Sequence, residues 1–419
     1  MTTLVLGAGI AGIHAARTLA DADYEVTVLE ARQRIGGRVF TTRNLVDGVP
    51  VELGAEFLHG ENVPHREIVR KLGLRTKHWE KQDDSLVRME DDRLLTMREA
   101  RAADPAFDVT RSWDIPDVAP RPGDEDLYHY LVRIGFTPEQ LQYTRRSFVN
   151  ATGEGIHHIS ATAALADMHG DEYGHEDWRI MDGYDRIIEH LAEGLDIRTG
   201  QVVTDVRWGG KTVTVATLNG TTYTAERVIV ALPAGVLNAG SVTFDPPLPP
   251  ERVRALGGLT MGPGMKIVYV FDEPILPEGI GALYSKHNPP MWWSPTFGHA
   301  DAPQFAITAF ATGDWARYLL RAGTEIIGTL GLSTLRKELD NVPDPVQVHI
   351  ENWTDDPFAG GVYSVVTPGS AHCRAEAAKP LGNRLFWAGE AVAPNGHAAT
   401  VHGAYLTGAR AAHEVIASL

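Results

Sequence analysis

The sequence predicts a two-domain α/β fold in which both domains are discontinuous along the chain. Three observations lead there: a strand, glycine turn, helix and strand at the start, a polar and mostly helical stretch from about Trp79 to Gly194, and β-rich runs that return after it. Thr3 to Leu6 is apolar and Gly7-Ala8-Gly9-Ile10-Ala11-Gly12 follows. Ile10, Ile13, Ala16 and Ala20 then recur at helical spacing before Val26 to Leu29 ends at Glu30. Val213 to Ala216 and Val228 to Leu232 lie either side of the Asn219-Gly220 hairpin signal, so the chain re-enters the first domain there. Past the proline-rich break from Pro246 to Pro250, Lys266 to Phe271 and Gln304 to Phe310 alternate like strands, and Glu325 to Leu339 reads as helix. Arg384 to Ala388 reads as a strand, Gly389-Glu390 as a turn, and Val401 to Leu419 as a closing amphipathic helix. The first domain is thus expected over 1–78, 195–250 and 375–419, and the second over 79–194 and 251–374.

Composition narrows what such a fold can do. With 54 acidic and 38 basic side chains in 419 residues, the formal charge is −16. Nucleic acid and anionic membranes need a basic footprint, so neither is expected as a partner, and a cationic small molecule is favoured. The single cysteine, Cys373, excludes an internal disulfide, a redox pair and a thiolate zinc site, and leads us to expect a reducing, cytoplasmic setting. No run of about 18 apolar residues is present, and the apolar start lacks the basic flank of a signal peptide. The acidic, histidine-bearing stretch from His169 to Asp177 matches no metal-ligand spacing, and no metal is expected.

The chemistry begins at Gly7-x-Gly9-x-x-Gly12. The first glycine permits a tight turn, the second lets a pyrophosphate approach the backbone, and the third lets helix and strand pack closely. Phosphate charge would sit on the helix N-terminus. With Glu30 placed 18 residues after Gly12 to take ribose hydroxyls, the unit reads as Rossmann-like and dinucleotide-binding. The next residues, Glu30-Ala31-Arg32-Gln33-Arg34-Ile35-Gly36-Gly37-Arg38, resemble the flavin-containing amine oxidase family. The resemblance continues at Gly54-Ala55-Glu56-Phe57-Leu58-His59-Gly60, at Gly262 to Lys266, at Trp353 with Gly361-Val362-Tyr363-Ser364, at Phe386 to Glu390 and at Ala399-Thr400-Val401-His402-Gly403-Ala404. Within the family it is nearest to polyamine oxidases and the related histone lysine demethylases.

The resemblance implies a Rossmann-like FAD-binding domain and a mixed α+β substrate domain. The FAD would be non-covalent, because Val362 stands where monoamine oxidases carry the cysteine that bonds the flavin. Gly7, Gly9 and Gly12 would cradle the pyrophosphate, Glu30 the adenosine ribose, and Val203 the adenine. Arg32 and Arg38 would lie near the phosphates and flavin, and Glu390 by the ribityl or pyrophosphate groups. Gly37, Gly54, Ala55, Trp353 and Gly389 are further cofactor positions. Thr400 and Val401 would turn backbone N–H groups to the isoalloxazine, and a helix starting at Val401 sets its positive end where a reduced flavin becomes anionic. Lys266 matches the family's lysine that meets flavin N5 through water. His59 matches the mouth of the substrate tunnel, and Glu56 is expected to meet a cationic substrate. Trp315, Trp387 and His397 are the substrate-binding expectations, His397 standing where polyamine-type relatives often carry a tyrosine; the other tryptophans read as core. The implied reaction is oxidation of an amine C–N bond to an imine, with O2 reduced to hydrogen peroxide and a polyamine as the favoured substrate. Oligomeric state stays open. Two alternatives stay open as well: an L-amino-acid oxidase using Arg179, Arg317 or Arg321 to clamp a carboxylate, and a flavin-binding interaction protein without turnover.

Overall fold

Alternation along the apolar strands decides the first layer. In the computed structural model, which describes residues 2–80, 83–103, 115–116, 118–170, 172–174 and 176–418, five short strands form a parallel sheet. Its order is Asp196–Arg198, Glu25–Leu29, Thr2–Leu6, Arg227–Val230 and Leu385–Trp387. Parallel sheets are covered on both faces, and this one follows that rule. Val5, Val28, Ile229 and Phe386 face the helices Ile10–Asp21, Asp185–Ala192 and Val401–Ala417. Their strand neighbours Leu4, Leu6, Val228, Val230 and Trp387 face the other way, onto a four-stranded sheet that supplies Val206, Val213 and Val215.

The second unit is built on a seven-stranded sheet. Gly264–Phe271 lies inside it, paired antiparallel to Phe305–Thr312 on one side and Gln347–Asn352 on the other. All eight of its residues are buried. Ile267 and Tyr269 pack under the helices Gly313–Ala322 and Ile327–Glu338 with Leu319, Ile327 and Leu335. Val268 and Val270 pack instead on Val46, Val51 and Leu53 of the first unit. Lys266 has the same parity as Val268, so the pleat directs it towards the first unit.

Helices do dominate the middle stretch, and their starts are chemically marked. Asp126 and Ser160 cap Leu127–Arg133 and Ala161–His169, and Thr137 with Gln140 forms a capping box for Pro138–Thr152. The stretch also sends Ser85–Arg88 and Leu94–Thr96 into the seven-stranded sheet, and Asp177–Ile180 pairs with Phe57–His59 and Thr76–His78. Its last helix, Asp185–Ala192, buries Ile187, Ile188 and Leu191 against the first sheet, so the chain returns to that unit before position 195. Its amphipathic pattern marks an apolar face without naming the core that receives it. Among the described residues no helix is long and apolar enough to cross a membrane.

Close packing of the first and last helices yields a direct test. A Cβ on Gly408 would lie 2.3 Å from the Ala11 carbonyl oxygen, whereas one on Gly257, at the end of the helix Pro250–Gly257, meets nothing within 4 Å. Gly408→Ala should cost about 1–3 kcal/mol through overpacking. Gly257→Ala should be neutral or stabilising by up to about 1 kcal/mol. Thermal melting of the two variants beside wild type checks the contrast.

Candidate functional site

A cavity of about 380 Å³ runs from the C-terminal ends of the parallel strands to the buried strand that carries Lys266. Its first part is set by Glu30, whose two carboxylate oxygens accept from the N–H groups of Ala8 (2.7 Å) and Arg32 (2.8 Å). Buried and held on both sides, that carboxylate is fixed beside the cavity. Gln201, Val203 and Val242 line the same end. The glycines divide their work. A Cβ on Gly12 would sit 1.9 Å from the Gly7 oxygen, so Gly12 serves the protein's own packing, while a Cβ on Gly9 would meet no protein atom within 4 Å. Gly9 caps a helix start with no side-chain cap, and Gly9, Ile10 and Ala11 line the cavity, so the unpaired backbone N–H groups of a helix start lie at its wall.

Further along, the Arg38 guanidinium donates to Glu390 Oε1 and to the Val362 carbonyl, both at 2.8 Å. Burial pushes the Glu390 carboxyl up, but Arg38 and the Ser364 hydroxyl outweigh it and hold the group below the ordinary glutamate value. Arg32 is tied to Asp356 at 2.6 Å. Thr400 caps the closing helix: its hydroxyl accepts from the Gly403 N–H and donates to the His397 carbonyl. Thr400, Val401 and Ala404 line this wall.

At the far end Lys266 Nζ donates to the Glu52 carbonyl and to Glu56 Oε2, each at 2.9 Å. Glu56 also accepts from Trp293 Nε1 (2.7 Å) and lies 3.2 Å from Arg179 Nε. Burial alone would raise the Glu56 carboxyl, yet Lys266 and Arg179 overcome it and bring the group below its usual value. The neighbouring Glu52 carboxyl is pushed up to about 8 by burial, against the Thr41 hydroxyl and the Tyr184 N–H that it accepts from. Phe310, Trp353 and Tyr363 surround the lysine's end of the cavity, Trp353 anchored by its indole N–H on the Leu53 carbonyl.

Most of the residues singled out from sequence line this one cavity: Gly7, Gly9, Glu30, Arg32, Gly37, Arg38, Gly54, Ala55, Val203, Lys266, Trp353, Gly389, Glu390, Thr400 and Val401. Others are placed elsewhere. Glu56 was expected to meet substrate, but it does not line the cavity: its Oε2 accepts from Lys266 and Trp293, and its Oε1 faces Arg179 as an ion pair. His59 is half-exposed at a strand end and bonded to Asp177 at 2.7 Å. Trp387 ends a strand of the parallel sheet and turns into the opposite core, under the Arg252 guanidinium. Trp315 sits near the start of a helix and packs on the second unit's core. His397 is buried beside Tyr173 and His402 and approaches Glu172 at 3.4 Å. For the stretch 169–177, Asp171 and His175 lie outside the described residues; among the described residues no metal-holding cluster occurs. Sequence reasoning missed Phe310 and Tyr363 as cavity walls, and missed the places of Trp293 and Arg179 beside Glu56. Tyr363 lay inside a quoted motif without a role, and nothing in the local pattern marks Arg179 as a buried partner of Glu56.

FAD fits this donor set. A buried carboxylate stands where ribose hydroxyls would meet it, Gly9 leaves room only a ligand would use, an uncapped helix start faces the phosphate position, and the cavity continues to a second helix start at Thr400. Such a fold and site define a flavoprotein with a separate substrate unit. The chain belongs to the family described as flavin containing amine oxidoreductase, whose model matches residues 10–416. It is 30% identical to lysine-specific histone demethylase 1B of Mus musculus across 99% of this chain and 53% of that protein. It is 31% identical to probable polyamine oxidase 4 of Arabidopsis thaliana across 98% of this chain and 86% of that protein. The chain therefore spans about half the length of the demethylase it matches. The solved structure of wild-type putrescine oxidase bound to putrescine shares the fold at a TM-score of 0.80 and 21% identity, covering 100% of this chain and 99% of the other.

The two glycine roles separate experimentally. The Cβ of Gly9→Val meets no protein atom within 4 Å, and Gly9 has an extended backbone that any residue adopts. It should fold with the circular dichroism and melting behaviour of FAD-stripped wild type while purifying colourless. A yellow Gly9→Val protein with full flavin content would remove Gly9 from the phosphate site.

Proposed function

We propose that this chain oxidises the C–N bond of an amine, a polyamine by preference, with O2 as the final acceptor and hydrogen peroxide as product. The observation that carries the reading is Lys266: a buried ammonium at the end of a cavity otherwise walled there by Phe310, Trp353 and Tyr363. Bound non-covalently beside Val362, FAD would supply a two-electron acceptor. Gly7, Gly9 and the helix start at Ile10 would hold its pyrophosphate, Glu30 its ribose, and Arg38 with Glu390 its central portion. The closing helix, capped by Thr400, would set positive potential where reduction places negative charge.

The aromatic walls do two things for an amine. Their faces attract an ammonium, and their apolar surroundings lower its pKa towards the neutral form that can surrender hydride. Lys266 keeps one N–H beyond its two protein acceptors, enough to hold a water at the reacting end. The similarity to a probable polyamine oxidase supports the same substrate class. An amino-acid oxidase is less well supported. Arg179 spends its donors on three carbonyls beside Glu56, and Arg317 is paired with Glu154 and Asp314. Neither lines the cavity, nor does Arg321, and the arginines that do, Arg32 and Arg38, face Asp356 and Glu390.

Peroxide release should be assayed with putrescine, spermidine, spermine, simple monoamines and L-amino acids. Polyamines should turn over best; turnover confined to amino acids would overturn the reading. Lys266→Met should load normal flavin, yet slow flavin reduction by amine, reoxidation by O2, or both, by roughly 10- to 1,000-fold. Stopped-flow traces of the two half-reactions locate the loss, and wild-type rates in both would make Lys266 a bystander.

A further inference from the structure

The carboxylate of Glu56 is buried inside the protein. Oε2 takes hydrogen bonds from Lys266 Nζ (2.9 Å) and Trp293 Nε1 (2.7 Å), and Oε1 faces Arg179 Nε at 3.2 Å. Arg179 is clamped in turn. Its Nη1 donates to the carbonyls of Ser294 (3.0 Å) and Phe297 (3.3 Å), and its Nη2 to that of Pro295 (2.7 Å), all in the turn after the strand Met291–Trp293. A line of contacts therefore runs from that turn through Arg179 and Glu56 to the lysine at the cavity.

The charges around Lys266 make this line consequential. From the flanking elements it meets Glu56, the carbonyl of Glu52 with that residue's own carboxyl close by, and the Trp293 ring centroid at 5.1 Å. In the register of the adjoining strands it stands opposite Glu351 on one side and the uncharged Phe310 on the other. Arg179, on Asp177–Ile180, lies just beyond Glu56. A buried ammonium near a guanidinium loses its proton readily unless an anion lies between them. Glu56 is that anion.

We propose that Glu56, braced by Arg179, is a positioning residue for Lys266: it fixes the ammonium with one N–H left for the cavity and stands as the anion between two buried cations. The inference rests on Lys266 acting beside the flavin. It is tested without any amine, by titrating the visible spectrum of the oxidised, FAD-loaded protein with pH in wild type, Glu56→Gln, Lys266→Met and the double variant. Glu56→Gln should bind FAD at wild-type stoichiometry and gain a spectral ionisation between about pH 6 and 9, since a buried lysine without a counter-charge drops several units. That step should be missing from wild type and vanish in the double variant. Glu52 titrates in the same range and feels both Glu56 and Lys266, so all four proteins are compared again in a Glu52→Gln background, where the step must persist; its loss there overturns the proposal. Identical titrations of wild type and Glu56→Gln, or a step that survives Lys266→Met, overturn the proposal. A Lys266→Met spectrum matching wild type at every pH overturns the placement of Lys266 by the flavin, and this inference with it. Should Glu56→Gln yield no loaded protein, Glu56→Asp decides, because it keeps the charge but shortens the reach. Flavin reduction by an amine should then slow roughly 10-fold or more, and the loss should disappear in a Lys266→Met background. A loss of equal size in that background overturns the proposal.

Discussion

A charged side chain in the middle of a sheet covered on both faces is the constraint on which the rest of this structure turns. Lys266 belongs to a strand whose eight residues are all buried, and an ammonium there is tolerated only when paired and hydrogen-bonded. Its partners, and theirs, come from three other stretches: Glu52 and Glu56 from the first unit, Arg179, which meets Glu56, from the middle stretch, and Trp293 from the strand next but one in the sheet. Meeting the needs of one lysine therefore ties both units together at the point where the cavity ends. The apolar contacts of Val268 and Val270 with Val51 and Leu53 close the same seam from below.

At the opposite end of the cavity, spacing matters more than charge. Gly12 is required because Gly7 of the preceding turn lies against it, and Gly7 itself adopts a φ of 102° that disfavours a side chain. Gly9 is required by nothing in the protein. One motif thus contains a residue for the fold and a residue for a ligand, and only the surroundings of each Cβ tell them apart.

The acids of the site are spoken for. Glu30 is held by two backbone N–H groups, Glu390 by Arg38 and Ser364, and Glu56 by Lys266 and Arg179. The net charge of −16 therefore rests on carboxylates other than these three, while the end of the cavity near Lys266 presents aromatic faces. On the proposed reading, gathering a cationic amine and then desolvating it are separate tasks that would fall to separate parts of the molecule.

Local pattern was enough to announce the parallel nucleotide unit, since a strand, three spaced glycines, a helix and an acid at the next strand's tip are consecutive residues with fixed geometry. The motif patches likewise named residues that share one cavity, from Gly7 to Val401. Side-chain direction at the ends of elements was not legible. Trp387 and Trp315 look alike as candidates for a cation, yet the pleat turns one into the core beneath the parallel sheet and a helix face turns the other onto the second unit. The core that takes Asp185–Ala192 was equally hidden, because an amphipathic helix specifies that it will be covered and not by what. Glu56 makes the point most sharply. Its place in the motif set it near the cavity, but whether it would face a substrate or a lysine 210 positions away depended on Arg179 and Trp293 arriving beside it, and contacts between distant stretches exist only once the chain has folded.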